Sequence, residues 1–150
     1  MRYQRFESRY QIRLVTGDHA ADAVGTLLKG EGIGYATLTG LGAVRWARLA
    51  YWNGVTREYE PHDLEEQLEV VSLVGNVTLR DGEPFLHWHV SLGRHDLSLL
   101  GGHFLDAIVH PNMEIWLQRE SGPVHRRVET DSGLALMDLP EHASNGGDPA

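Results

Sequence analysis

The sequence predicts an α+β fold, a mostly antiparallel twisted β-sheet with one main amphipathic helix near the N-terminus. Three observations predict it. Apolar residues recur at helical spacing in one segment, His19–Lys29, while β-rich runs fill most of the remaining chain. The pairs Asn53-Gly54 and Asp81-Gly82 sit between such runs as hairpin turns. Strands joined by hairpins pair antiparallel, and a helix set apart from them makes the class α+β, not alternating α/β.

Ser8–Val15 alternates Tyr10, Ile12 and Leu14 against Arg9, Gln11 and Arg13, the pattern of a half-buried strand with a solvated basic face. Gly17-Asp18 breaks it, and Asp18 is placed to cap the helix. Ala20, Val24, Leu27 and Leu28 share one helical face, and Gly30 supplies the stop. Gly32-Ile-Gly34 leads into a strand over Tyr35–Thr39, after which Gly40-Leu-Gly42 reads as a turn between strands. This Gly-x-Gly opens a strand and has Arg45 where a dinucleotide loop needs its third glycine, which argues against a Rossmann or phosphate loop.

Ala43–Trp52 and Val55–Tyr59 flank Asn53-Gly54, a type I′ signal. Pro61–Glu66 reads as an acidic connector. Leu68–Leu79 is the most apolar run, and Gly75-Asn76 within it suggests a bulge or bend. Asp81-Gly82 then delivers the chain into a strand at Leu86–Leu92, followed by a polar turn at Gly93–Ser98. Phe104–Val109 and Met113–Gln118 are further strands, Val124–Val128 an edge strand, and Leu134–Leu139 docks on the body. The total is about seven to nine strands. Residues 1–139 form one domain, and residues 140–150, rich in Glu, Ser, Asn, Gly and Pro, are expected to be a disordered tail.

Composition narrows the function classes. Without cysteine there is no disulfide, thiolate metal site or cysteine nucleophile. No stretch approaches the ~20 apolar residues of a membrane span, and no apolar leader follows Met1, so a soluble, cytoplasmic protein is expected. The net charge of −8, with Lys29 the only lysine, has the wrong sign for a nonspecific nucleic-acid binder. The four arginines of the first thirteen residues are better explained as a solvated strand face than as a DNA contact.

The chemistry concentrates in Phe85–Leu92. On a strand, His87 and His89 point to one face and Trp88 to the other. Two imidazoles on one face can share an ion, and His103, behind Gly101-Gly102, is the candidate third ligand. The glycines fit a tight turn or a close backbone approach. Three protein ligands leave one position open, as in catalytic zinc sites. The competing explanation is that some of nine scattered histidines simply hydrogen-bond beside a sheet. A zinc site lowers the pKa of its water to about 7 and polarises carbonyls, and it then needs a carboxylate to move protons. Glu69, in an otherwise apolar strand, is the candidate, with Glu114 behind it; the competing role for Glu69 is an outward-facing strand residue or an interface salt bridge. Asn76 is a candidate ligand contact or a turn residue, and Gly101 and Gly102 would line the same site. His95, His110 and His125 are expected at the surface, and Ser91 and Ser98 lack the motif of a nucleophile.

Leu68-Glu-Val-Val-Ser-Leu-Val-Gly-Asn-Val77, Asp81-Gly82, His87-Trp-His89 and Gly101-Gly-His103 together resemble the PPC (PCC, plants and prokaryotes conserved) domain family. Gly40-Leu-Gly-Ala-Val44 and Glu114-Ile-Trp-Leu117 fit the same pattern, and the similarity spans roughly residues 8 to 139. The resemblance implies a compact fold assembled as a homotrimer. In plants the domain follows a basic AT-hook that enters the minor groove; this chain has none, so it looks like the stand-alone prokaryotic form. The fold is also similar to acetolactate decarboxylase, whose zinc ligands are a His-x-His pair and a later histidine. That likeness implies His87, His89 and His103 as ligands here, without implying the reaction. The competing readings are therefore a trimeric metal protein that binds or acts on a small molecule, a regulatory module for DNA or protein with structural histidines, and a trimeric scaffold.

Overall fold

A computed structural model describes residues 1–140 of the protein. The elements are β1 (Arg2–Phe6), β2 (Arg9–Val15), α1 (Ala20–Gly30), β3 (Ala36–Asn53), β4 (Glu58–Leu64), β5 (Leu68–Arg80), β6 (Glu83–Gly93), β7 (Leu99–Arg119), β8 (Arg126–Val128) and β9 (Ala135–Met137). Seven strands form an antiparallel sheet in the order β1-β2-β7-β6-β5-β3-β4. β3 also pairs with β7 along most of its length, so β7, β6, β5 and β3 close on themselves. β8 and β9 form a separate hairpin. The α+β class, the mostly antiparallel sheet and the single helix follow the sequence; among the described residues no helix is long and apolar enough to cross a membrane.

Alternation decides what the sheet buries. Tyr10, Ile12 and Leu14 of β2 turn inward, as do Trp88, Val90 and Leu92 of β6, and α1 lays Ala20, Val24, Leu27 and Leu28 on the same core. The helix is capped differently from expectation. Asp18 turns back to accept from the Val15 N–H at 2.9 Å, while Asp106, on β7, accepts from the Ala21 N–H at 3.0 Å. A residue distant in sequence thus does what a local cap would do.

Gly40 and Gly42 are not a turn. They lie inside the continuous strand β3, where the pairing with β5 shifts register. A Cβ at Gly42 would sit 2.5 Å from the Asn112 carbonyl oxygen, and at Gly40 2.8 Å from that of Glu114. The glycines let β7 approach, which permits one long bent strand where two short ones were expected. Phe104–Val109 and Met113–Gln118 likewise belong to one strand, β7.

Several turns also differ. Asn53 starts a longer turn: its Oδ1 accepts from the Val55 and Thr56 N–H groups, and Arg57 takes the positive φ of 56°. Most of the expected acidic connector is β4, an edge strand paired to β3 with Pro61 opposite Ala50. The bulge of β5 lies between Val70 and Ser72, not at Gly75, which pairs regularly with Trp88. β1, unrecognised in the sequence because its residues are exposed throughout, adds an edge hairpin to β2. Asp81-Gly82 is the hairpin turn expected, with both residues at the positive φ that a type I′ turn uses. The tail expected at 140–150 lies, beyond Pro140, outside the described residues.

Candidate metal centre

The alternation that sends Trp88 and Phe104 into the core sends His87, His89 and His103 to the opposite face. Trp88 and Phe104 meet edge to face at 4.8 Å and form a rigid floor under the histidines. The register then fixes the meeting: His89 pairs with His103 across β6 and β7, and His87 lies two residues along β6. The three ring centroids stand 5.2 to 5.4 Å apart, nearly an equilateral triangle. One nitrogen from each ring lies within 4.8 Å of the others.

Two glycines make this packing possible. At Gly75, opposite Trp88, a Cβ would fall 2.5 Å from the tryptophan Cβ and 2.7 Å from the His87 carbonyl oxygen. At Gly101 a Cβ would collide with the Val90 carbonyl oxygen. The backbones on both sides of β6 therefore approach closely where the histidines converge.

Electrostatics favours the neutral rings of His87 and His103. Burial pushes the His103 imidazole down to about 4, with the other two rings and Arg126 acting in the same direction. Burial, then Arg126 and His89, lower His87. Neutral imidazole is the metal-binding form. His103 Nδ1 is buried without a hydrogen-bond partner among the described residues, an arrangement that costs roughly 1–3 kcal/mol unless something satisfies it. A nitrogen-only, neutral donor set of three fits zinc or a similar divalent ion.

The surroundings include residues the sequence did not reveal. Arg126, on β8, donates from Nη2 to Asn76 Oδ1 at 3.0 Å and lies 3.3 Å from His87 Nδ1. Its Nε donates to Thr78 Oγ1 at 2.7 Å and its Nη1 to the Ala135 carbonyl at 2.7 Å. Tyr59 packs its ring 4.7 Å from that of His103. These contacts join strands far apart in the chain, and no local motif announces them. Asn76 is thus beside His87, holding Arg126, and Gly101 and Gly102 line a second, shallower cleft with His89. Glu69 is not brought to the histidines. It is exposed at the other end of β5, opposite Gly93, roughly 16 Å along the strand from the Val74–His89 pair at ~3.3 Å per residue. Glu114 lies on β7 between Leu41 and Arg13, also apart from the three rings. His95, His110 and His125 are exposed.

Comparison with known proteins places these features in context. The family model of the Plants and Prokaryotes Conserved (PCC) domain matches residues 1–120. No curated protein matches the sequence. Among solved structures, a metal-containing protein from Archaeoglobus fulgidus is 34% identical, with 91% of this chain and 99% of that one covered and a TM-score of 0.81. A plant- and prokaryote-conserved protein from Pyrococcus horikoshii is 33% identical over 93% and 95% of the two chains, TM-score 0.82. A Bacteroides thetaiotaomicron protein, whose description as DNA-binding is itself provisional, is 28% identical over 91% and 96%, TM-score 0.89. Acetolactate decarboxylase from Bacillus subtilis shares the fold alone, at 8% identity and a TM-score of 0.54 over 81% of this chain and 57% of that one.

Proposed function

The chain belongs to the Plants and Prokaryotes Conserved domain family, and from that premise we propose that it is a homotrimeric metal protein that binds or acts on a small molecule. His87, His89 and His103 would hold the ion, zinc in the first instance. The observation that carries this reading is the convergence of the three rings from β6 and β7, with one nitrogen of each within 4.8 Å of the others. The metal-containing description of the Archaeoglobus protein supports it.

A divalent ion there would supply Lewis acidity toward a carbonyl or phosphoryl oxygen. The chain's own residues do the rest. Trp88 and Phe104 lie beneath the imidazoles, Arg126 borders one edge, and Tyr59 packs its ring against His103. Assembly is supported by exposed apolar side chains: Val74 lies beside His89, and Val71, Leu97 and Leu99 lie toward the Gly93 end of β5, β6 and β7. Glu69 shares the outer face of β5, so a proton-handling role for it would depend on contact with a neighbouring copy.

Metal analysis of protein purified without a histidine tag tests the reading. About one zinc per chain, lost in the His87→Ala, His103→Ala double variant with the fold retained, is the expected result; a metal-free protein that also fails to take up added zinc would refute it. The Bacteroides protein's description favours a second reading, a DNA-associated regulatory module with structural histidines. Retardation of DNA that persists in metal-free protein and falls with salt would select it.

A further inference from the structure

The cleft on the β8–β9 side of the histidines has a charge pattern opposite to that of the whole chain. The protein carries 13 Lys and Arg against 21 Asp and Glu. Yet, among the described residues, the cleft is lined by three guanidinium groups, those of Arg57, Arg80 and Arg126, and by no carboxylate. Arg80 has an exposed partner in Asp81 at 3.7 Å, whereas Arg57 and Arg126 make no ion pair among the described residues.

Arg126 carries most weight. It is partly buried, and burial disfavours its charged form. Its contacts with Thr78, Asn76, Ala135 and His87 all end on neutral groups. Of the five N–H groups of a guanidinium, one on Nη1 is left over. A partly buried charge held only by neutral acceptors lacks the counter-charge that normally accompanies it. A divalent ion on three neutral imidazoles would add to the same imbalance, so the pair of sites calls for an anion.

The walls say what kind. Trp52 and Tyr59 meet edge to face at 5.0 Å, and the Arg126 guanidinium carbon lies 4.9 Å over the Phe85 ring. The cleft volume of about 350 Å³ is within the usual range for a small-molecule site. A planar guanidinium suits a planar carboxylate, and aromatic walls suit an apolar body. We propose that this cleft is a carboxylate subsite. It takes a small organic anion whose carboxylate meets Arg126, with Arg57 and Arg80 nearby. The apolar or aromatic body lies against Trp52, Tyr59 and Phe85, and the far end reaches His87 and His103. The inference rests on the metal reading only for that far end; the charge argument stands on the arginines. Arg126 and the Gly133–Leu136 wall lie beyond residue 120, so the part of the site that reads the anion lies outside the stretch matched to the shared domain.

Calorimetric titration of the full chain, zinc-loaded and metal-free, with benzoate, its neutral counterpart benzamide, and inorganic phosphate tests the subsite. Benzoate is expected to bind both forms about tenfold or more tighter than benzamide, as a bond to a charged group implies, and to weaken with added salt. Arg126→Gln should lose about tenfold in benzoate affinity and Arg126→Lys much less. The Arg57→Gln, Arg80→Gln double variant leaves every bond of Arg126 in place and should weaken benzoate several-fold even if Arg126→Gln proves unstable. Benzoate no tighter than benzamide in either form, phosphate binding as tightly as benzoate, or both arginine changes leaving benzoate unaffected would overturn the subsite. Failure to bind zinc would sink the metal reading and leave the benzoate comparison standing.

Discussion

His103 shows how one residue can join stability to chemistry. Its folded pKa of about 4 lies below the 6.5 of an unperturbed histidine, because burial penalises the imidazolium. Between those values the unfolded chain binds more protons than the folded one. The contribution of neutral His103 is therefore fully present above pH 6.5 and is lost as pH falls toward 4. In metal-free protein, the stability difference between wild type and His103→Gln should change in favour of the variant as pH drops through that window. Denaturant melts at matched pH values read it directly, and a difference independent of pH would contradict the assignment. His19 has the opposite sign: the Asp106 carboxylate, 2.6 Å from its Nδ1, raises its pKa. That pair stabilises below pH 6.5 and fades as pH rises past the raised folded value.

At the scale of the element, β6 is held against both neighbours by missing side chains. Gly75→Ala places a methyl group against Trp88 and the His87 carbonyl, and overpacking of that kind costs roughly 1–3 kcal/mol. The variant should unfold at lower urea and bind zinc more weakly, since the strand carrying two of the three rings must shift. Unchanged stability would show that the approach of β5 to β6 is looser than described. Much of this element was legible in the sequence. Alternation alone placed His87 and His89 opposite Trp88, and Gly101-Gly102-His103 marked a close approach, because a two-residue period fixes which face a side chain takes. Other features were illegible for a common reason. The cap of α1 by Asp106, the bridging of Asn76 and His87 by Arg126, and the fusion of Gly40-Leu41-Gly42 into one strand all depend on residues far away in the chain. Glu69 illustrates a choice the sequence left open: its apolar neighbours admitted a site role or an outward-facing one, and strand alternation turns it outward.

The molecule is acidic overall and basic in one cleft, and its outer apolar side chains run along β5 from Val74, beside His89, to the Gly93 end. The net charge of −8 opposes broad contact with nucleic acid while leaving a local positive field for a small anion. Light scattering during gel filtration should give a mass of ~50 kDa, three chains of 16.8 kDa each. Replacing Val71 and Val74 by aspartate should shift it toward the monomer, because exposed apolar side chains of this kind mark interfaces. A wild-type mass of one chain at micromolar concentration would remove the trimer from the account.

Three imidazoles from two strands are proposed to share one ion. Anomalous diffraction from crystals of the zinc-loaded, untagged protein, collected on both sides of the zinc edge, tests it most directly. One strong peak per chain, within bonding distance of His87, His89 and His103, is the expected result. Zinc absent from that point, or bound elsewhere with the three rings each hydrogen-bonded to separate protein groups, would contradict it.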